Sequence, residues 1–505
     1  MAKADMLSRL INTLTKAEKR YFRMYTALQQ GSKDYVNLFD MMERHTFRST
    51  AELKLAFHQQ YPGCSYDVCS KYLYKVLLDC LLHLRLQRHS TAALTAGILK
   101  CDILFERSLH EDALKQLHKA QTTAAASEKH LLLLWAQQQE LQLLQQLNFP
   151  GITEEDLSNK QSDIQDNLLA MQQIRQQTSL YETLRHRLLY RGSARTIHQQ
   201  EAVDALNASM PPAVPHAATS LKVHLLFEAH YHLITSDYPA ALQVFHQLND
   251  LLDTHPSLFE DTPADHLLIV EGILDSLRAG KHYEELFSFI DKLKRLKSES
   301  VYFEIMQQRL LFIYEAGAYI DSGNFSFALT LLQRYAPMIR KSISLMDISK
   351  QAEIYLYMSL IYLGNEDINN AHNSLEQVLQ SNLYSTLPIY RTCRLVHLLI
   401  QYELGNYEYI RYETRAFRRH LQPDTKRSYL LERTVIKFLG SGEIPTVTAY
   451  RTTLWKKINA SFEKIRADKY ERQQLKLFDF SAWIEAKLKR KPLGAVLQEK
   501  MKHQG

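Results

Sequence analysis

The chain has 505 residues, 46% of them hydrophobic and 23% charged, an ordinary make-up for a folded protein of two or three domains or of one long stacked array. Only 15 glycines and 13 prolines interrupt it, and Leu, Gln, Ala, Glu, Lys and Arg dominate, so long helices are favoured. The five cysteines (Cys64, Cys69, Cys80, Cys101, Cys393) are odd in number and lack a framework spacing, which argues against a disulfide scaffold. The net charge of +6 is unevenly spread, with about 14 basic against 8 acidic residues up to Ser90, about 22 against 10 from Arg411 onward, and an acidic stretch between. Such a split points to nucleic acid, to acidic partners, or to solubility alone.

The first 90 residues predict four helices. Thr15-x-x-Glu18 and Ser49-x-x-Glu52 are capping-box patterns ahead of apolar runs, and Gly31-Ser32 and Pro62-Gly63 are breaks. The last of the four carries Leu73, Val76, Leu77, Leu78, Leu81 and Leu82, which predicts burial as a first packing layer. Further helices follow over Leu131–Leu147 and Ile164–Leu189, and no stretch alternates as a strand does. Pro211–Pro215 is the strongest break, and Thr262-Pro263-Ala264-Asp265 is a helix start with a capping hydroxyl. After Gly440-Ser441-Gly442, Leu454, Ile458, Phe462 and Ile465 predict one amphipathic helix and Phe480, Trp483, Ile484 and Leu488 another. Together these read as a cap over the last repeat, followed by a loose basic end at Lys489-Arg490-Lys491-Pro492.

A repeat runs through the middle of the chain. SDYPAALQVF (from Ser236), GKHYEELFSFI (from Gly280), GNFSFALTLL (from Gly323), EDINNAHNSL (from Glu366) and GNYEYIRYE (from Gly405) each place a turn before a helix, and SLHEDALKQL (from Ser108) looks like an earlier copy. Their anchors, Ala241, Leu286, Ala328, Ala371 and Ile410, lie 45, 42, 43 and 39 residues apart. A turn residue ends one helix, an aromatic (Tyr238, Tyr283, Phe325, Tyr407) packs under the turn, and a small residue at the crossing lets two helices approach. Each pair leaves an apolar face bare, so neighbours must stack.

This pattern resembles the second half of the tetratricopeptide motif. Ala316 with Tyr319 and Ser359 with Tyr362 match the small and aromatic places of its first helix, whereas at Ala229 the aromatic place holds His232. The period here exceeds the standard 34 residues and the motif's proline is mostly missing. The resemblance implies an all-α, right-handed α-solenoid of stacked antiparallel helix pairs with a period of about 40, closed by helical caps. The corresponding division is an N-terminal module over 1–92, a repeat array over 93–445 and a basic C-terminal cap and tail over 446–505.

No catalytic, nucleotide-binding or calcium-binding motif is present, and no cofactor is expected. Among 21 histidines, His230 and His232 point to different sides of one helix, and His224 is off the i, i+4 spacing, so structural or solvated roles are favoured over a metal. Cys64 and Cys69 lack a second ligand pair for zinc. Arg411, Arg415, Arg418 and Arg419 form the sharpest charge cluster. Their functional reading is a contact for nucleic acid or an acidic partner, and their bland reading is a solvated face partly paired with Glu408 and Glu413. Lys487, Lys489, Arg490 and Lys491 receive the same two readings.

The stretch Met1–Phe22 has no signal-peptide core and the run Leu131–Ala136 is too short to span a bilayer, so a cytoplasmic protein with reduced thiols and no membrane partner is expected. The expected function is a non-catalytic scaffold or adaptor for a protein or peptide. The alternative is a regulator whose N-terminal helices bind DNA through Lys71, Lys75 and Arg85 while the array senses a partner.

Overall fold

A computed structural model describes residues 3–28, 33–45, 47, 49–215, 217–260, 262–420 and 429–502. All regular structure among these residues is helical, with 26 α-helices and no strand. The expected break at Gly31-Ser32 lies outside the described residues. The chain forms two compact units, Met1–Leu168 and Leu169–Gly505.

The first unit contains α1 (Lys3–Thr13), α2 (Lys16–Leu28), α3 (Asp34–Arg44), α4 (Thr50–Gln60), α5 (Tyr66–Arg88), α6 (Ser90–Glu106), α7 (His110–Ala126), α8 (His130–Gln146) and the first part of α9 (Glu154–Arg191). The first 90 residues thus hold five complete helices rather than four, because Leu7 and Ile11 on α1 join a core with Phe22, Phe39, Phe57 and Leu73. The Thr15 box forms as read, with Glu18 N–H donating to Thr15 Oγ1 at 3.2 Å and Thr15 N–H to Glu18 Oε2 at 2.7 Å. A similar reciprocal pair, Thr153 with Asp156 (3.0 and 3.1 Å), starts α9 ten residues before the expected Ile164. Glu140 accepts from Gln121 and from Lys160, both at 2.8 Å, and so ties α7, α8 and α9 together.

The second unit contains the rest of α9, then α10 (Ile197–Ala208), α11 (Ala218–Ile234), α12 (Tyr238–Thr254), α13 (Ser257–Glu260), α14 (Pro263–Gly280), α15 (Tyr283–Arg295), α16 (Val301–Asp321) and α17 (Phe325–Ser342). These are followed by α18 (Ile348–Gly364), α19 (Ile368–Leu379), α20 (Ile389–Glu403), α21 (Tyr407–His420), α22 (Leu430–Leu439), α23 (Thr448–Ala467), α24 (Lys469–Arg472), α25 (Phe480–Lys489) and α26 (Leu493–Lys502). From α14 to α22 each helix packs on the next, and α14, α16, α18, α20 and α22 also pack in succession. One continuous apolar core runs through all of them, from Ala218 to Leu497.

The turns share one backbone form. Ser236, Lys281, Gly323, Glu366 and Gly405 in the second unit adopt a left-handed conformation, as do Ser108, Glu128 and Asn148 in the first. In every case the next residue's N–H reaches back five residues to a helix carbonyl, as in Asp237 to His232 (2.8 Å) and Asn406 to Gln401 (3.0 Å). This is the Schellman closure, which satisfies carbonyls that a helix end leaves free. The anchors Ala113, Ala241, Leu286, Ala328 and Ala371 are fully buried, and Ile410 nearly so. Ser359 takes the small place on α18 and its hydroxyl donates to the carbonyl of Ala371 on α19 at 2.8 Å. The Thr262 hydroxyl bonds the Asp265 carboxylate (2.9 Å) rather than a free amide.

The C-terminal stretch departs from its expected form. The sequence places it over the last repeat, and its contacts with Glu403 on α20 fit that. It also folds back to α14 through Lys476 and to the α16–α17 turn through Gly494. No loose end follows Pro492 within the described residues: α26 buries Val496 and Leu497, Lys491 pairs with Glu499 at 2.6 Å, and Lys500 pairs with Asp479 at 3.1 Å.

Buried His230 is held neutral. Its Nδ1–H donates to the Leu226 carbonyl at 2.7 Å, and its Nε2 accepts from Arg185 at 2.9 Å. Burial, then the Arg185 charge, lowers its pKa to about 3. An unfolded histidine takes up a proton near pH 6.5 whereas the folded one does not, so this contribution to stability is present above pH 6.5 and is lost as pH falls toward 3.

Three outcomes follow from these turns and contacts. Gly405→Ala meets no atom but must hold φ +74, and should cost about 1 kcal/mol. Gly323→Ala (φ +71) would also set its Cβ 2.4 Å from the Gly494 carbonyl oxygen, and should cost about 2–4 kcal/mol by denaturant unfolding. Equal costs would show that α26 does not press on this turn. His230→Gln should reduce the stability lost between pH 7 and pH 5 by about 2 kcal/mol, measured as the difference between unfolding free energies at the two pH values.

Candidate functional site

The arginine cluster sits on α21. Ile410, Thr414 and Phe417 turn one face of this helix into the core, which leaves Arg411, Arg415, Arg418 and Arg419 exposed. None of the four makes an ion pair or side-chain hydrogen bond with a described residue. Glu413, a carboxylate that the bland reading assigned to them, instead accepts from Arg394 of α20 at 2.8 Å. Glu408 is exposed and makes no ion pair with a described residue. Tyr412 stands beside the arginines with 72% of its surface free. The face can therefore present guanidinium forks and one phenol to a carboxylate-rich or phosphate-rich surface without breaking an ion pair among the described residues.

The second basic cluster is tied down. Lys487 pairs with Glu403 at 2.6 Å and lies over the Trp483 ring at 5.8 Å, Lys489 pairs with Glu485 at 2.5 Å, and Lys491 is held by Glu499. Arg490 takes a left-handed conformation that ends α25. These residues serve the fold.

On α5 the stripe that the alternative reading required is exposed. Lys71, Lys75, Leu78, Leu82 and Arg85 follow at spacings of four and three along one face and all are open to solvent. Leu73, Val76 and Leu77 on the other face are buried and Leu81 is half-buried, so the expected burial of this helix's leucines holds for only part of the set. The stripe mixes three cations with two leucines.

Sequence reasoning missed the charged network inside the second unit, whose members are scattered along the chain. Arg195, before α10, lies between the carboxylates of Glu432 on α22 (2.5 and 2.8 Å) and Glu471 on α24 (2.7 and 2.8 Å). Glu471 also accepts from the N–H groups of Tyr429 at 2.9 Å and Leu431 at 3.1 Å. Burial works against the Arg195 charge, and Glu432 and Glu471 override it and raise the pKa. Lys476 donates to both oxygens of Asp275 on α14 at 2.5 and 2.6 Å and lies over the Tyr238 ring at 5.1 Å. Only Thr196-x-x-Gln199, a capping box immediately after Arg195, marked this region in the sequence, and it signals a helix start alone.

Among the clefts of this unit, one of about 510 Å³ lies between the turns at Tyr238, Lys281 and Asp321 and the C-terminal stretch. A second of about 220 Å³ adjoins it at Tyr238, Gln473 and Lys476. A third of about 250 Å³ lies between α20 and α21, lined by Arg394, His397, Tyr409 and Glu413. Burial, then the charge of His372, lowers the His397 pKa to about 4. Among the described residues no group of three or more His, Cys, Asp or Glu side chains is placed to hold a metal ion, and no helix is long and apolar enough to cross a membrane.

Arg195→Met would leave two buried carboxylates facing each other, and should destabilise the protein by about 3–5 kcal/mol in thermal or denaturant unfolding. Its deficit should shrink as pH falls and the carboxylates protonate. A deficit independent of pH would place the loss in packing rather than charge.

Compared with protein families, with curated proteins and with solved structures, the chain matches none.

Proposed function

We propose that the protein is a non-catalytic scaffold or adaptor, built on a tetratricopeptide-like right-handed solenoid, that binds an acidic protein or peptide in the cytoplasm. The observation that carries the partner's chemistry is the α21 face: four exposed arginines that make no ion pair with a described residue, next to exposed Tyr412. Most cations on α25 and α26 already have carboxylates, which distinguishes the α21 face from those basic helices. Support for the solenoid comes from the repeated Schellman turns and from the packing of α14, α16, α18, α20 and α22 in series. The five free thiols agree with a reducing compartment.

A second reading, a regulator that contacts DNA through its first helices, is favoured by the exposed Lys71–Lys75–Arg85 stripe on α5. The two separate on titration with poly-L-glutamate and with a mixed-sequence DNA duplex. The scaffold reading expects the full chain to bind poly-L-glutamate, with affinity falling as salt rises, and Arg411→Ala with Arg415→Ala to weaken it about tenfold. Duplex binding at physiological salt that is lost with Lys71→Ala and Lys75→Ala, and kept with the arginine pair, would promote the regulator instead. Poly-L-glutamate binding unchanged by the arginine pair would return α21 to a solvated face.

A further inference from the structure

We propose that the cleft between the turns at Tyr238, Lys281 and Asp321 and the C-terminal stretch is a binding site for a small amphipathic organic anion, one with an apolar body and a phosphate or carboxylate head. This site is independent of the α21 face and does not rest on the function proposed above. At about 510 Å³ the cleft falls within the usual range for small-molecule sites.

Charge decides the ligand's sign. Six cationic side chains border the space, Arg278, Lys281, Arg466, Arg472, Lys476 and Lys500, against two carboxylates, Asp321 and Asp479. Two of the cations are balanced by acids outside the cleft: Asp275 holds Lys476, and Glu463 holds Arg466 at 2.7 Å. Their positive ends border the cavity while the counter-charges lie beyond its lining. Arg278 is nearly fully buried in the wall, forked onto Asp321 at 2.8 and 2.9 Å and bonded to the Tyr357 hydroxyl, so this part of the site is rigid. Arg472, in contrast, is exposed and makes no ion pair with a described residue, which leaves its guanidinium available to an incoming anion. The adjoining cleft shares Tyr238, Gln473 and Lys476 and adds Arg191, Arg195 and Arg391 against Glu432, so the positive lining continues past the first cavity.

The rest of the wall sets the body. Ile320, Leu475, Phe478, Leu497 and Met501 line the space from both sides, and Tyr238 and Tyr283 add rings at the turns. An inorganic anion would satisfy the cations but leave this apolar surface wet, whereas a neutral apolar molecule would fill it without meeting the charge.

Octyl phosphate is the probe, titrated into the full chain by calorimetry beside octanol and inorganic phosphate. The expected result is one-to-one binding of octyl phosphate, with both comparison compounds at least about tenfold weaker. Two variants test the location: Arg472→Ala removes an exposed charge, and Met501→Trp fills the cavity. Either should weaken octyl phosphate about tenfold while circular dichroism and the thermal midpoint stay as in the parent. The proposal is overturned if octyl phosphate does not bind, if octanol or inorganic phosphate binds as tightly, or if neither variant changes the affinity.

Discussion

The left-handed residue at the end of a helix is the constraint on which the repeat depends. One such residue reverses the chain within a turn, and its neighbour's N–H closes back on the helix it has just left. The following helix must then lie against the preceding one, and the residue at the crossing must fit the gap. Ser359 shows how close that approach is, since its hydroxyl spans from α18 to a backbone carbonyl of α19. Glycine supplies the turn at Gly323 and Gly405, but Ser236, Lys281 and Glu366 adopt the same form. A left-handed side chain costs about 1–2 kcal/mol, which the closure bond and the packed hairpin offset.

Charge plays a different part within the same unit. Arg309 on α16 lies between Glu271 on α14, at 3.0 Å, and Glu353 on α18, so that one guanidinium spans three successive members of the series. Arg278 on α14 reaches Asp321 on α16 and Tyr357 on α18. Arg195 joins α22 to α24. Such pairs gain little net energy over apolar residues of the same size, because desolvation consumes most of the attraction. Their effect lies in what they exclude: a helix shifted by one residue would leave a buried charge alone. Apolar packing draws these helices together, and the charged bridges discriminate among registers.

This division explains what the sequence disclosed. Fold class was legible because it rests on local signals: few breakers, capping residues, and small residues ahead of leucines. The anchors Ala241, Ala328 and Ala371 were found from their neighbours alone, and all are buried. The α9 start was missed although Thr153 and Asp156 follow the same logic as Thr15 and Glu18, because aspartate at the third position is a less familiar partner than glutamate. The bridges were not legible at all. Nothing near Lys476 indicates Asp275, 201 residues earlier, and nothing near Arg195 indicates Glu471. Long-range pairing leaves no periodicity for a sequence to display. The arginines of α21 were visible as a cluster, but that Glu413 pairs with Arg394 on another helix rather than with them was not.

The same reasoning separates surfaces that serve the fold from those left for other work. On α25, on α26 and in the turn between them, Lys487, Lys489, Lys491 and Lys500 each meet a carboxylate, and the two helices bury Trp483, Ile484, Val496 and Leu497. Removing one of those charges would disturb a contact already made. On α21, Ile410, Thr414 and Phe417 are the residues buried in the core, and the four arginines are exposed. Four like charges on adjacent turns repel one another by a few tenths of a kcal/mol per pair, a cost that no ion pair with a described carboxylate offsets. A helix that needed only solubility could meet that need with mixed charges, as α7 does with Glu111 and Asp112 beside Lys115. The face that carries these four arginines is therefore the one where we propose that an acidic partner docks.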